Sequence, residues 1–434
     1  MKPLFRLAAW LAGVALAVHP VGVEAAPKKR PAVKKAVVKP ANAAIEGRDA
    51  LEPFLVRLGV AGSSVTRVLH FGDSHVAADY WTGELRRLLQ QRFGDAGPGY
   101  LMPGNPWISF RHAQARSFST GGWETIGLAR DGGDGLYGRS GTALSPTGAD
   151  GSAVVEGVFS SYRVELLTLS SGACLSVAVD GVTHFAGLLD PPESGEALDE
   201  ACCRLNYANV GETPYHWVAI ESAVPIESGL HRLEIRDACG GLTRILGVDL
   251  LSGQPGVVVD TLGLNGAELP ALGKWQPDLR RTLLRSADPA LVIVSYGTND
   301  MGRADFDFAD YRSRATELLR GLREDLPGSS ILVTGPIDRA ARKKKGAATI
   351  TRNAPFVTRA LREAAAAAGC AFWDARAAMG GEGSIRRWAR SGLAQRDLVH
   401  LTGTGYVKLA NLLFDRLATA MAMAMASDER SSER

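Results

Sequence analysis

Residues 68–85 read VLHFGDSHVAADYWTGEL. The apolar run Val68 to Phe71 stops at Gly72-Asp73. Ser74 and His75 follow, and then Val76, Tyr80, Leu85, Leu88 and Leu89 recur at helical spacing. A serine at a strand-to-helix junction lies beside the unpaired backbone N–H groups of the helix start. Two roles fit that place. Ser74 or Asp73 can cap the helix, or Ser74 can act as a nucleophile. The G-x-S-x-G elbow is only half matched, because Val76 stands where the second glycine belongs. A serine nucleophile also needs a base, a partner that orients the base, and donors for the oxyanion.

Three further segments could supply them. Leu264-Asn265-Gly266-Ala267 follows the β-branched run Val257–Val259. Tyr296-Gly297-Thr298-Asn299-Asp300 follows the apolar run Ala290–Ser295. Asp397-Leu398-Val399-His400-Leu401-Thr402 precedes the last helical stretch. In a parallel sheet the carboxyl ends of the strands gather at one edge, so Ser74, Gly266 and Asn299 should converge. Asp397 and His400, three apart, can point to one side of a turn. The chemistry then assigns roles. His400 takes the Ser74 proton and returns it to the leaving group, and Asp397 holds the imidazole and stabilises its charged form. The backbone N–H groups of Ser74 and Gly266 and the Asn299 side-chain amide serve as oxyanion donors. Each segment also has a plainer reading: a capping pair at Asp397 and His400, turn residues at Asn299 and Asp300, a turn glycine at Gly266. All of them in this order, three at strand ends, favour function.

Elements able to position these residues are legible. Helical stretches end at Leu283–Ser286 and span Tyr311–Arg323, Phe356–Ala368 and Tyr406–Met425, alternating with strands at Ala290–Ser295, Ile331–Thr334 and Phe372–Trp373. This alternation predicts an α/β fold with a parallel sheet covered on both faces. Residues 111–253 differ. Glycine and serine are frequent, and short β segments recur at Ser152–Phe159, Tyr162–Leu169, Leu175–Val179, His216–Ile220, His231–Ile235 and Ile245–Leu251. They predict an all-β sandwich inserted into the α/β domain. The expected organisation is 1–26 signal peptide, 27–47 basic Pro/Ala-rich linker, 48–110 first part of the α/β domain, 111–253 insertion, 254–425 second part, and 426–434 disordered tail.

The chain start reads as a secretory signal: Lys2 and Arg6, an apolar run from Leu7 to Val18 too short to span a bilayer, and small residues at Ala25 and Ala26. A periplasmic or secreted protein without stable membrane insertion is expected, an uncleaved anchor being the alternative. A formal charge of +3 on 434 residues gives no argument for a nucleic-acid partner. No spaced Cys/His cluster calls for a metal and no phosphate loop for a nucleotide, so no cofactor is expected. Of five cysteines, Cys202 and Cys203 would strain a bridge to each other. Cross-pairing of each with Cys174 or Cys239 is expected, with Cys370 a buried thiol. His75 reads as positional, and His70 and His112 as structural or surface residues. Trp107, Trp123 and Tyr137 could line a sugar groove or fill a core. The run Arg342–Lys345 reads as an exposed loop.

Gly-Asp-Ser, a downstream Gly, Gly-x-Asn-Asp and Asp-x-x-His in this order resemble the four blocks of the SGNH (GDSL-type) hydrolases, over residues 65–110 and about 255–425. The resemblance implies a three-layer, flavodoxin-like α/β/α fold and a serine hydrolase with Ser74, Gly266, Asn299 and His400 as block residues and Asp397 as third triad member. GDSHVAAD, Phe93–Tyr100, the long β insertion and Trp388–Leu393 are more narrowly similar to peptidoglycan O-acetylesterases. That likeness implies a carbohydrate-binding-module-like insertion and a cell-wall glycan substrate, the 6-O-acetyl group of N-acetylmuramic acid. An acetyltransferase with the same triad, an esterase or lipase for another ester, and a non-catalytic wall-binding protein are the alternatives.

Overall fold

Six strands line up side by side in one sheet. The computed structural model describes residues 43–432 apart from 103, 106, 108–109, 129–132, 149–150, 193–197, 200–201, 225, 239–242 and 342–348. Among these residues the main sheet runs in the order Ile45–Glu46, Ala371–Trp373, Ser330–Thr334, Pro289–Ser295, Val65–Gly72, Gly256–Gly263. All neighbours are parallel except the antiparallel edge strand Ile45–Glu46. Alternate residues face opposite layers. Phe71, Leu262, Val294 and Val333 join one core, with the Phe308–Asp325 and Ala354–Ala367 helices. Val68, Val259, Ile293 and Leu332 join the other, with the Tyr80–Phe93 helix and the helix from Gly403. This is the expected three-layer α/β/α arrangement.

Register positions the chemistry. Gly72 pairs with Gly263 on one side and with Ser295 on the other. The chain therefore leaves three adjacent strands at one level, two residues before Ser74, three before Gly266 and four before Asn299. A side chain at 72 would collide with Val76 and with the Ser295 carbonyl, so the absent Cβ lets the helix start seat directly on the sheet edge.

The middle of the chain forms two antiparallel sheets. One runs Val182–Leu188, Cys174–Val179, Gly229–Asp237, Ser152–Phe159, Ala115–Thr120. The other runs Leu198–Asp199, Cys203–Asn209, His216–Ser222, Ser161–Thr168, Thr243–Leu251, Thr142–Pro146, Trp123–Gly127. Val155, Val177 and Leu233 from the first meet Val164, Val218 and Ile245 from the second in one core, the packing of a β-sandwich.

Several expectations need correcting. Ile45–Glu46, read as linker, forms the sheet edge. Gly99–Leu101 pairs with Thr243–Leu251 and so joins a sandwich sheet. The segment from Ser427, read as a disordered tail, continues a helix that runs Gly403–Ser432, because no glycine or proline interrupts the Ala/Met run before it. Cys174 is disulfide-bonded, but Cys202 is a thiol, so the two adjacent cysteines do not each form a cross-chain bridge. Cys370 is a buried thiol, as expected. Residues 1–42, Cys239 and Arg342–Lys345 lie outside the described residues.

A buried charge cluster joins the sandwich to the main sheet. Arg67 and Asp260 come from the main sheet, Glu165 and Asp249 from the sandwich, and Arg139 from the segment between two sandwich strands. Arg67 bonds Asp249 and Asp260 at 2.7 Å each. Arg139 bonds Glu165 and Asp260 at 3.2 Å and also bonds Asp249. Burial raises the Glu165 carboxyl against the pull of Arg139. Arg139→Met would leave three buried acids facing one guanidinium. Losing one partner of a buried pair costs about 3–5 kcal/mol, so the urea midpoint is expected to fall by that equivalent. An unchanged midpoint would show that the cluster fastens nothing.

Candidate active site

Asp73 takes the capping role. Its Oδ1 accepts from the His75 N–H at 2.9 Å at the start of the Ser74–Ala77 helix. That leaves the Ser74 hydroxyl for another partner, and it lies 3.0 Å from Nε2 of His400, 326 positions away in sequence. The Nδ1 of His400 lies 2.7 Å from Oδ2 of Asp397. Oδ1 of Asp397 accepts the Val399 and His400 N–H groups at 2.9 and 3.1 Å. Asp397 thus bonds the histidine and its own turn, while Thr402 caps the following helix by accepting from Gly405. Leu398, between the two, has φ +60°, a left-handed conformation uncommon for a leucine.

The hydrogen bonds fix the chemistry available. With Nδ1–H donating to the carboxylate, Nε2 keeps its lone pair to accept the serine proton. Burial works to raise Asp397. The His400 ring and the two backbone N–H groups outweigh it and hold the carboxyl below its ordinary range. An ionised carboxylate is therefore in place to stabilise an imidazolium.

Asn299, half-buried, donates from Nδ2 to the Ala267 carbonyl at 2.8 Å. One amide hydrogen ties the two loops together, and the second is left for a ligand. Gly266 beside it has φ +76° and is exposed, with open space where a side chain would stand. Ser74, Asp397 and His400 are therefore brought into one hydrogen-bonded line, and the Gly266 and Asn299 loops into direct contact. Among the described residues no group of three His, Cys, Asp or Glu side chains gathers as a metal site.

Other residues singled out from the sequence lie as follows. His70 is fully buried between Ser295 and Thr82 hydroxyls, both at 2.9 Å, and burial lowers it to about 3. His112 is likewise lowered to about 3 by burial. Both are neutral structural groups at physiological pH. Tyr137 is buried in the core, with Trp107 packed against it, and Trp123 packs against the sandwich core. Core packing accounts for them.

Asp300 carries more weight than its sequence position suggests. It is buried, its Oδ1 accepts from the Leu269 N–H at 3.3 Å, and its Oδ2 has no partner. Burial, with Glu268 adding, raises it from 3.8 to about 7. The folded chain thus holds a proton that the unfolded chain releases above pH 4. The resulting stability is complete below that point and lost as pH rises through 7, on the order of a few kcal/mol. Asp300→Asn keeps the acceptor for Leu269 and cannot ionise. It should be more resistant to urea than the parent at pH 8 and near the parent at pH 4. Equal pH slopes for the two proteins would reject this account.

A family model described as the GDSL-like lipase/acylhydrolase family matches residues 236–408, which include Gly266, Asn299, Asp397 and His400. A solved structure titled "Peptidoglycan O-acetylesterase in action, 5 min" is similar at 26% identity with a TM-score of 0.71, covering 87% of this chain and 99% of its own. A family two carbohydrate esterase from Cellvibrio japonicus is 13% identical with a TM-score of 0.29, covering 71% of this chain and 99% of its own. No curated protein matches the sequence.

Proposed function

Given that the chain belongs to the SGNH (GDSL-type) hydrolases and is a serine esterase, we propose that it removes O-acetyl groups from cell-wall glycan, the 6-O-acetyl of peptidoglycan N-acetylmuramic acid. The observation that carries this reading is the 0.71 TM-score against a peptidoglycan O-acetylesterase over 99% of that chain. The hydrogen-bonded line from Ser74 through His400 to Asp397 supports it.

In this mechanism Ser74 Oγ attacks the acetyl carbonyl as His400 Nε2 takes its proton. The carbonyl electron pair moves onto oxygen, where the Ser74 and Gly266 N–H groups and the second Asn299 amide hydrogen stabilise it. Collapse breaks the bond to the sugar oxygen, which receives the proton from His400. Water then attacks the acetyl-serine by the same route, and acetate leaves. Asp397 balances the imidazolium in both halves. No step needs a cofactor.

An open cleft suits a polymer. It has a volume of about 610 Å³ and is lined by Tyr80, Glu84, Arg87, Gln91, Arg111 and Val407. Its Tyr80 stacks on Tyr406, which bonds His75 beside His400. Substrate outside the cytoplasm fits residues 1–26 as an export signal and 27–42 as a spacer. The sandwich is assigned as a carbohydrate-binding-module-like insertion.

The test is acetate release from O-acetylated peptidoglycan, with de-O-acetylated wall as blank. Serine-dependent release supports the assignment. Turnover of a small acetyl ester without release from wall would discard the substrate. Acetyl transfer to an added glycan instead of to water would make the protein a transferase.

A further inference from the structure

His75 is the buried titratable group that the chemistry above leaves without a task. Its ring centroid lies 5.3 Å from that of His400. Its Nδ1 lies 2.7 Å from the Tyr406 hydroxyl. Tyr406 sits in the first turn of the helix that follows His400, and its own N–H donates to the Thr402 carbonyl. Burial raises the Tyr406 phenol, with the Leu401 backbone opposing the rise. With its proton on Nε2, a neutral His75 can accept from the phenol at Nδ1. His75 adjoins Ser74 in the chain, and Leu401 adjoins His400. One hydroxyl therefore links the residue after Ser74 to the helix that follows His400.

The loop needs such a tie. The side chains of His400 and Asp397 are 36% and 43% exposed, so burial alone does not clamp them. Leu398 within the loop is in a left-handed conformation. Tyr406 is itself held, its ring parallel to that of Tyr80 within 2°, with centroids 6.2 Å apart. Arg111 lies over the Tyr80 ring at 4.3 Å. Charge also fits. Burial disfavours protonation of His75, as do His400 and Arg339, against the carboxylates of Asp73 and Asp397. A neutral His75 can take a hydrogen bond from the phenol and adds no positive charge beside the imidazolium that forms at His400.

We propose that Tyr406 and His75 form a strut that sets the distance between Ser74 and His400, making both positioning residues for the acylation step. The inference rests on Ser74 and His400 being the reacting pair. A small misplacement of a nucleophile and its base is costly because the reaction needs near-attack geometry.

The test uses the full chain, with p-nitrophenyl acetate turnover and the rate at which a fluorophosphonate labels Ser74. Tyr406→Phe removes only the hydroxyl and keeps the ring on Tyr80. It is expected to lower kcat and the labelling rate roughly tenfold, with KM within about twofold. His75→Ala should lose as much, and the double variant no more than the worse single one. His75→Asn, whose side-chain oxygen can accept near the Nδ1 position, should recover most of the loss. Thermal melts within a few degrees of the parent separate this from unfolding. If His75→Ala does not fold, Tyr406→Phe decides alone. Tyr406→Phe with kcat within about twofold of the parent overturns the strut. So do losses that multiply in the double variant, or a loss that falls mainly on KM. A parent chain that is not labelled at Ser74 fails before any variant is made, and removes both the reading of Ser74 and the strut.

Discussion

Ser74→Ala should lower kcat for an acetyl ester by roughly 10⁴- to 10⁶-fold, with the fold and the thermal melt unchanged. The size of the effect follows from what the hydroxyl does in the proposed mechanism. It is the only atom that bonds to the acetyl carbon from the protein side, so its loss ends the covalent route rather than slowing one part of it. The fold should not suffer, because Asp73, not Ser74, caps the helix. His400→Ala should cost about as much, and the double variant scarcely more, since nucleophile and base act as one unit. Asp397→Asn should cost less, roughly 10³- to 10⁴-fold, and the Asn side chain retains an acceptor for the loop N–H groups. Stopped-flow turnover of a chromogenic acetyl ester, with denaturant curves on the same samples, checks all three. A Ser74→Ala protein within tenfold of the parent would mean that another group attacks the ester, and the roles of His400 and Asp397 would fall with that of Ser74.

The residues of the sheets and the site are legible in the sequence to different degrees. Runs such as Leu291-Val292-Ile293-Val294 are apolar at every position because both faces of a parallel strand are covered. Length and β-branching then separate them from helices. Strands such as Ala115–Thr120 and Trp123–Gly127 are half polar and lie at sheet edges, so they show neither a continuous run nor a clean alternation. The buried Arg67, Arg139, Asp249 and Asp260 look like surface charges in sequence. Only the meeting of two sheets explains them. At the candidate site, residue types and order were legible because each block follows a recognisable strand or precedes the last helix. Geometry that depends on distant pairing was not. Nothing local says that Gly72 is level with both Gly263 and Ser295, that Asn299 reaches Ala267, or that His75 meets Tyr406 across 331 positions.

Asn299→Ala should lower kcat by roughly 10²- to 10³-fold while KM stays within a few fold, the pattern of a donor felt mainly in the transition state. The Asn299 amide has two hydrogens and one is spent on the Ala267 carbonyl at 2.8 Å. That bond does two things in the proposed mechanism. It fixes the rotamer so that the second hydrogen is aimed before substrate arrives, and it holds the loop that carries Gly266. Removing the side chain therefore deletes one oxyanion donor and loosens the loop that bears another. Asn299→Asp separates the two effects. A carboxylate cannot donate to the Ala267 carbonyl, and it sets a negative charge where the oxyanion forms, so it should be at least as slow as alanine although it is the closer match in size. The order Asn, then Ala, then Asp in kcat is what electrostatic stabilisation requires. A purely packing role would put Asp between Asn and Ala, and that order, measured with one acetyl ester at fixed pH, would strip Asn299 of its place in the oxyanion hole.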